Sequence, residues 1–119
     1  MALPIFRYPL DKTGENPDNY VSREVHDLTP VARPTDVRVA APIYGPYFKT
    51  SLEIRDRANG FILVPGIDYK STDLLQDPTI SFGKEISQFI VILNGNVSNS
   101  IEISYQVLGG NYQNDSTAI

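Results

Sequence analysis

The fold class of this chain is decided by residues 87–107, SQFIVILNGNVSNSIEISYQV. The unbroken apolar run from Phe89 to Leu93 predicts a strand that is covered on both faces. The Asn-Gly-Asn sequence that follows predicts a turn, because asparagine and glycine tolerate positive φ. From Ile101 to Val107 apolar and polar residues alternate, which is typical of a strand with one face in water. These two strands are expected to place Val91 and Ile103 in the core.

The segment that begins at Tyr47 shows a similar strand pattern. Residues 51–55 alternate between polar and apolar types, and residues 61–64 are aromatic, β-branched or aliphatic. Asn59-Gly60 lies between them and suits the positive φ of a tight turn. This region therefore predicts a β-hairpin, closed by Pro65-Gly66.

The stretch between this hairpin and residue 87 gives weaker signals. Ile67-Asp68-Tyr69 predicts a short strand, and Ser71 to Gln76 is the one stretch that suits a single helical turn. Ile80 and Phe82 have the spacing of a strand. Several short strands separated by turns, without a long helix, indicate an all-β fold. We expect a small antiparallel β-sandwich or barrel over residues 47–112.

The first 46 residues differ from the rest because they are rich in proline. Each proline fixes its own φ, removes a backbone donor and disfavours helix at the preceding residue. Residues 1–46 are therefore expected to form an extended N-terminal arm that lies against its own domain or against a neighbour. Residues 113–119 are expected to form a polar C-terminal tail. The prolines of the arm are Pro4, Pro9, Pro17, Pro30, Pro34, Pro42 and Pro46.

Composition excludes several classes of protein. The net charge is −4 and the sequence pI about 4.8, and the basic residues are scattered, so no nucleic-acid partner is expected. The sequence has 0 cysteines, which excludes disulfides and thiolate metal sites. The longest apolar run is far shorter than a membrane span, and neither a membrane partner nor a signal peptide is expected.

Groups that could carry catalysis are few and have no specific spacing. His26 is the only histidine, and the segment Glu24-Val25-His26-Asp27 could in principle offer metal ligands. Carboxylates that are near one another in sequence could act as acid and base if they were buried together. The glycines match no nucleotide-binding motif, so the chain is not expected to be an enzyme, to hold a metal or to need a cofactor. The candidate carboxylates are Asp68 and Asp73, and Asp11, Glu15 and Asp18.

Aromatic residues are the more informative feature, because tyrosine combines apolar area with a polar tip and is enriched at protein interfaces. Several aromatic residues lie at the end of the arm and the start of the core, in the segment from Ile43 to Phe48. Completion of a small core is the alternative role of these residues. The residues expected to contact a partner are Ile5, Phe6, Tyr8, Tyr20, His26, Tyr44, Tyr47 and Phe48.

Five strings of residues, in one order along nearly the whole chain, carry a resemblance to a known family. The chain resembles a domain of virion structural proteins from large contractile-tailed bacteriophages, including relatives that infect cyanobacteria. The strings are YPLDKTGENP at residues 8–17, APIYGPYF at 41–48, PGIDY at 65–69, FGKEI at 82–86 and ISYQVLGGNY at 103–112.

The resemblance implies a non-enzymatic assembly role in the virion, which is built in the host cytoplasm. We expect a tail or baseplate adaptor that links tail-tube, baseplate or fibre components and forms a homo- or hetero-oligomer in the particle. A neck or head-surface protein of the same virion is one alternative. A β-module that binds a glycan or receptor through an exposed aromatic platform is another.

Overall fold

The computed structural model describes residues 8–30, 33, 37–74 and 83–110. Within these ranges the chain is built from short strands and two single turns of 3-10 helix, Pro17–Asn19 and Lys49–Ser51. None of the described elements is a helix of the length and apolar character needed to cross a membrane. The strands are β1 (Tyr20–Asp27), β2 (Arg38–Ala40), β3 (Tyr47–Phe48), β4 (Glu53–Asp56), β5 (Tyr69–Leu74), β6 (Ile86–Ile92) and β7 (Ser100–Gln106).

The strands form two antiparallel sheets, which confirms the predicted small all-β fold and its sandwich form. Sheet 1 has the order β1-β7-β4. In sheet 2, β6 pairs with β5 and also with β2 and β3. Ala40 pairs with Ile90 and Tyr47 pairs with Ser87, so β2 and β3 follow one another along β6 like one interrupted strand.

The core lies between the inner faces of the two sheets. In β7 the alternation predicted from the sequence is confirmed, because Ile101, Ile103 and Tyr105 are fully buried. Ile90 and Ile92 face them from β6 within the same apolar cluster. Full burial of one such aliphatic side chain is worth about 1.5–3 kcal/mol, so these positions contribute a large share of the stability of a small domain.

Tyr47 joins the two sheets near one end of the sandwich. It pairs with Ser87 in sheet 2 and also forms a β-bridge to Val107, directly after β7. Its hydroxyl lies 2.9 Å from Ser71 Oγ and 3.0 Å from the Phe89 carbonyl oxygen. Burial raises the pKa of Tyr47 to about 12, so its hydroxyl stays protonated and keeps these contacts at physiological pH.

The core begins farther towards the N-terminus than the predicted boundary at residue 47. Strands β1 and β2 lie inside the predicted arm, yet β1 pairs with β7 along most of its length and β2 pairs with β6. The stretches 20–27 and 38–40 contain no proline, so they keep every backbone donor that a ladder needs. These two stretches of the predicted arm therefore lie against the chain's own domain.

Residues 8–11 also lie against the domain, beside the end of β7. The Asp11 N–H donates to the Leu108 carbonyl at 2.8 Å, and the Gly110 N–H donates to the Tyr8 carbonyl at 2.9 Å. The close approach of the Pro9 backbone to residue 109 requires glycine there. Its φ is +76°, and an added Cβ would lie 2.2 Å from the Pro9 carbonyl oxygen.

The prediction of a helical turn at Ser71 to Gln76 is wrong for the part of it that is described. Ser71 pairs with Ile90 and Thr72 pairs with Phe89, within β5. Polar residues occupy both faces of this strand, so its sequence lacks the apolar alternation by which strands are recognised. Ile80 and Phe82, also predicted to be in a strand, lie outside the described residues.

Strand β6 matches the predicted strand closely in its bounds but not in its burial. Phe89 is 37% exposed and Val91 is only half-buried, whereas Ile90 and Ile92 are fully buried. The prediction that this strand is covered on both faces, and that Val91 is a core position, is therefore wrong for the described chain. One face of sheet 2 is open at the centre.

Candidate docking surface

The aromatic residues that were predicted to form an exposed platform are mostly in the core. Tyr47 is 0% exposed and Phe48 is 3% exposed. Phe48 packs in a small separate cluster with Ile86 and Leu108. An exposed platform for a ligand therefore cannot be built from Tyr47 and Phe48 in this fold, and their position agrees with the alternative role of completing the core.

The other predicted interface residues are spread over the surface and the edge of the core. The rings of Tyr8 and Tyr44 are both half-buried and meet edge to face, with centroids 5.1 Å apart and an interplanar angle of 81°. Tyr20 is 47% exposed at the start of β1. Ile5 and Phe6 lie outside the described residues.

His26 belongs to a buried polar cluster centred on Glu24. The Tyr105 hydroxyl donates to Glu24 Oε1 at 2.6 Å, the Ile43 N–H donates to Glu24 Oε2 at 3.1 Å, and His26 Nε2 hydrogen-bonds to the same Oε2. The Tyr44 N–H lies 3.3 Å from the Tyr105 oxygen. The cluster therefore fastens the loop before β3 to sheet 1.

A β-bulge explains why a glutamate from β1 points inward. The register of β1 against β7 shifts between Val21 and Glu24, and both residues are buried although they are three positions apart. In a regular strand residues three apart face opposite sides, so the extra residue of the bulge turns Glu24 towards the core. The sequence contains no local signal for this shift, and the pairing of Glu24 with Tyr105 was not predicted.

The chemistry of this cluster fits a structural role. Burial, and the hydrogen bond to Glu24, raise the pKa of Tyr105 well above its ordinary value, so the hydroxyl remains a donor. Both carboxylate oxygens of Glu24 are already paired with donors from the chain itself. A buried carboxylate that is fully hydrogen-bonded stabilises the local packing, whereas an unpaired one would be costly.

The carboxylates that were considered as catalytic candidates act as loop supports where they are described. Asp11 accepts hydrogen bonds from the Thr13 N–H at 3.0 Å and the Asn16 N–H at 3.1 Å. Burial opposes ionisation, but these hydrogen bonds outweigh it and lower the pKa of Asp11. Glu15 and Asp18 are exposed, so these three acids do not share a buried site.

Asp68 and Asp56 have the same kind of role in other loops. Asp68 accepts from the Asn94 side chain and the Val64 N–H, both at 2.8 Å, and Asp56 accepts from the Ser98 hydroxyl at 2.6 Å. The side chain of Asp73 lies outside the described part, so its pairing with Asp68 is untested. In the described ranges, no group of three or more His, Cys, Asp or Glu side chains could hold a metal ion.

Among the described residues, the most exposed large apolar side chains lie in residues 61–67, which we call the apolar loop. Phe61 is 70% exposed, Ile62 55%, Val64 47% and Ile67 71%. Leu63, in the middle, is 6% exposed and packs in the main core. Isolated exposed apolar residues are ordinary, but a concentration of exposed apolar area in one loop favours an interaction surface.

The apolar loop is held at both ends by hydrogen bonds that involve its backbone groups. Four of them join it to β4, to the start of β5 and to the Asp68 carboxylate. A loop that is already ordered loses little conformational entropy on binding. The four bonds are Asp56 N–H to the Phe61 carbonyl (2.9 Å), Leu63 N–H to the Ile54 carbonyl (2.9 Å), Gly66 N–H to the Tyr69 carbonyl (2.7 Å) and Val64 N–H to Asp68 Oδ2 (2.8 Å).

The outer faces of the two sheets differ in polarity. On sheet 2, Val39 is 61% exposed and is the ladder partner of Val91, and Val37 and Phe89 are also exposed. The outer face of sheet 1 carries charged residues instead, and Glu102 there lies 4.0 Å from Arg23 and 3.9 Å from Arg57. Ion pairs at the surface add little stability, but their charged groups keep the outer face of sheet 1 hydrated.

An open groove of about 830 Å³ lies between β5 and the 3-10 turn at residues 49–51. Lys49 at its rim is paired with Glu85 at 3.0 Å, and Lys84 hydrogen-bonds to the Thr13 carbonyl. The groove therefore carries lysines at its rim over a lining that is mainly apolar. Its lining includes Lys49, Leu52, Tyr69, Lys70, Ser71 and Lys84.

Comparisons of the chain with protein-family models, with curated proteins and with solved structures found no match.

Proposed function

We propose that this chain is a non-enzymatic structural protein of a tailed-phage virion, which acts as a tail or baseplate adaptor by docking onto neighbouring proteins. The observation that carries the docking role is the ordered apolar loop, with Phe61, Ile62, Val64 and Ile67 exposed on a rigid sandwich. The location in a virion is supported by the resemblance of the five sequence strings to virion structural proteins.

The size of the apolar loop favours a protein partner. Together its four exposed side chains present apolar area on the order of 400 Å², comparable in size to the patches that often mark interaction sites on monomers. Because Leu63 is buried in the core, its exposed neighbours cannot turn inward, and their apolar side chains lower the solubility of the free protein. A partner that covers these side chains would remove their apolar area from water, which is favourable by about 25 cal/mol per Å².

The distribution of polar groups supports the same role. Among the described acids, four have several contacts each, and all four accept hydrogen bonds from this chain's own loops: Glu24, Asp11, Asp56 and Asp68. Groups used in this way fix the shape of the surface rather than present a reactive site. A module with a fixed shape suits the joining of other proteins.

The proposal is tested by mass spectrometry of purified virions and of tails separated from heads. An adaptor of the tail or baseplate is expected in the tail fraction at a constant ratio to the other tail proteins. Recovery with heads alone would favour the neck or head-surface alternative. Absence from both fractions would overturn the proposal.

A glycan-binding or receptor-binding module is the second candidate, and the groove beside β5 favours it. Lys70 and Ser71 line that groove and could hydrogen-bond to sugar hydroxyl or carboxylate groups. This candidate predicts that the isolated chain binds sialylated or uronate-containing oligosaccharides and that Lys70→Ala weakens the binding. Equal binding by the variant, or no binding, would reject it.

A further inference from the structure

The apolar loop continues sheet 1 beyond β4 and forms its open edge. Ile62 makes an antiparallel β-bridge to Arg55, in the middle of β4. The bridge is flanked by two hydrogen bonds, Leu63 N–H to the Ile54 carbonyl and Asp56 N–H to the Phe61 carbonyl, both 2.9 Å. Residues 61–63 thus act as a short fourth strand.

The position of these two bonds fixes the direction of the Ile62 backbone groups. In an antiparallel ladder, a pair flanked by the hydrogen bonds of its neighbours is a non-hydrogen-bonded pair, and its own N–H and C=O groups point away from one another. At Arg55 these groups point towards β7, where Arg55 pairs with Glu102. At Ile62 they point away from the sheet, and no described residue pairs with them.

We propose that Ile62 is the acceptor site for an added β-strand, donated as an extended segment by a partner protein. An open edge offers a donor and an acceptor in the spacing of a strand, which is the mode of recognition called β-augmentation. The exposed side chains beside this edge, Phe61 at 70% and Ile67 at 71%, select a segment that carries apolar side chains. This inference rests on the proposed docking role and names the form of the partner.

The area of the patch distinguishes this partner from a second copy of the chain. A stable protein–protein interface buries about 800 Å² on each side, roughly twice what the apolar loop exposes. A dimer held by this loop alone would be weak. An extended segment needs less area because main-chain hydrogen bonds contribute to its affinity and its own side chains wrap the loop.

The first part of the test locates the partner in the assembled particle. A photoreactive benzophenone amino acid replaces Phe61 in one variant and Tyr20 in a control, since Tyr20 is 47% exposed on β1 at the opposite edge of sheet 1. We expect position 61 to crosslink to one segment of a different virion protein and position 20 to give a different product or none. Crosslinking of position 61 to another copy of this chain would overturn the inference.

The second part measures binding of the crosslinked segment, made as a synthetic peptide, to the isolated chain. Ile62→Pro removes the outward N–H but leaves both flanking hydrogen bonds, because they use the N–H groups of Leu63 and Asp56. We expect this variant to bind about tenfold more weakly, since one backbone hydrogen bond is lost. Ile62→Val keeps the N–H and is the matched control, expected to bind like the original chain.

Amide hydrogen exchange keeps the inference testable if Ile62→Pro does not fold. The Ile62 amide of the original chain is expected to exchange fast in the free protein and slowly with the peptide bound. Unchanged exchange, or equal binding by a folded Ile62→Pro variant, would overturn the inference.

If the chain is present in tails but position 61 gives no crosslink, the inference alone fails. If the chain is absent from virions, the proposed function fails, and the inference fails with it.

Discussion

The Tyr105 hydroxyl donates a 2.6 Å hydrogen bond to the buried carboxylate of Glu24, from the central strand of sheet 1 to an edge strand. A neighbouring loop adds the Ile43 N–H to the same carboxylate at 3.1 Å. This contact joins two residues that are 81 positions apart in the sequence. It therefore fixes β1 and the loop before β3 to the central strand of sheet 1.

Tyr105→Phe is expected to destabilise the protein by about 1.5–3 kcal/mol, because a buried carboxylate loses one of its donors. Tyr47→Phe is the matched control, since Tyr47 is equally buried but its hydroxyl contacts neutral groups, and it should cost about 1 kcal/mol. Urea unfolding gives both free energies. Equal losses in the two variants would contradict the special role of Glu24.

Gly109→Ala is expected to be more destabilising than Gly60→Ala. Both glycines have φ near +77°, but an added Cβ meets the Pro9 carbonyl oxygen at 2.2 Å only at position 109, and nothing within 4 Å at position 60. The second variant should cost about 1–2 kcal/mol from the left-handed backbone alone, and the first should cost clearly more. Thermal unfolding of the two variants compares them, and similar losses would show that residues 8–11 do not lie against Gly109.

Ile103→Asp is expected to prevent folding, because Ile103 is 0% exposed in the core and an unpaired buried charge costs several kcal/mol. Val91→Asp was expected from the sequence to do the same. Val91 is half-buried on the outer face of sheet 2, so this variant should remain soluble and fold. Circular dichroism and a cooperative melt distinguish the outcomes, and an unfolded Val91→Asp variant would contradict the open face of sheet 2.

Acid is expected to destabilise the protein partly through Asp56. Burial opposes ionisation, but hydrogen bonds from Ser98 and Ala58 and the charge of Arg38 lower its pKa below the ordinary 3.8. A pKa that is lower in the folded state gives stability that is present above pH 3.8 and lost as the pH falls through the folded pKa. Asp56→Asn should therefore lose less stability than the original chain between pH 5.5 and pH 2.5. Urea unfolding at both pH values tests this, with Asp18→Asn as an exposed control, and an unchanged loss in Asp56→Asn would contradict it.

The sequence predicted those parts of the fold whose pattern is local. The alternation from Ile101 to Val107 and the apolar run at the centre of β6 were sufficient to identify both strands. Strand β5 was missed at Ser71 because both of its faces carry polar residues. Strands β1 and β2 were assigned to an arm because the surrounding prolines dominate the composition, although the residues between them are free to pair.

The candidate site could not be predicted in the same way because exposure depends on distant contacts. Residues 61–64 look like a core strand in the sequence, yet only Leu63 turns inward. Whether the other residues are covered depends on the neighbours of β4, which come from other parts of the chain. Similarly, the inward position of Glu24 depends on a bulge set by pairing with β7, about 80 residues later.

The most direct test of the docking role is thiol labelling of Phe61→Cys, because the chain has 0 cysteines of its own. The single thiol should react readily with a maleimide in the isolated protein and be protected in purified tails. Ser22→Cys, at an exposed position of β1, is the control for general access to the particle. Equal labelling of position 61 in the isolated protein and in the particle would contradict the account.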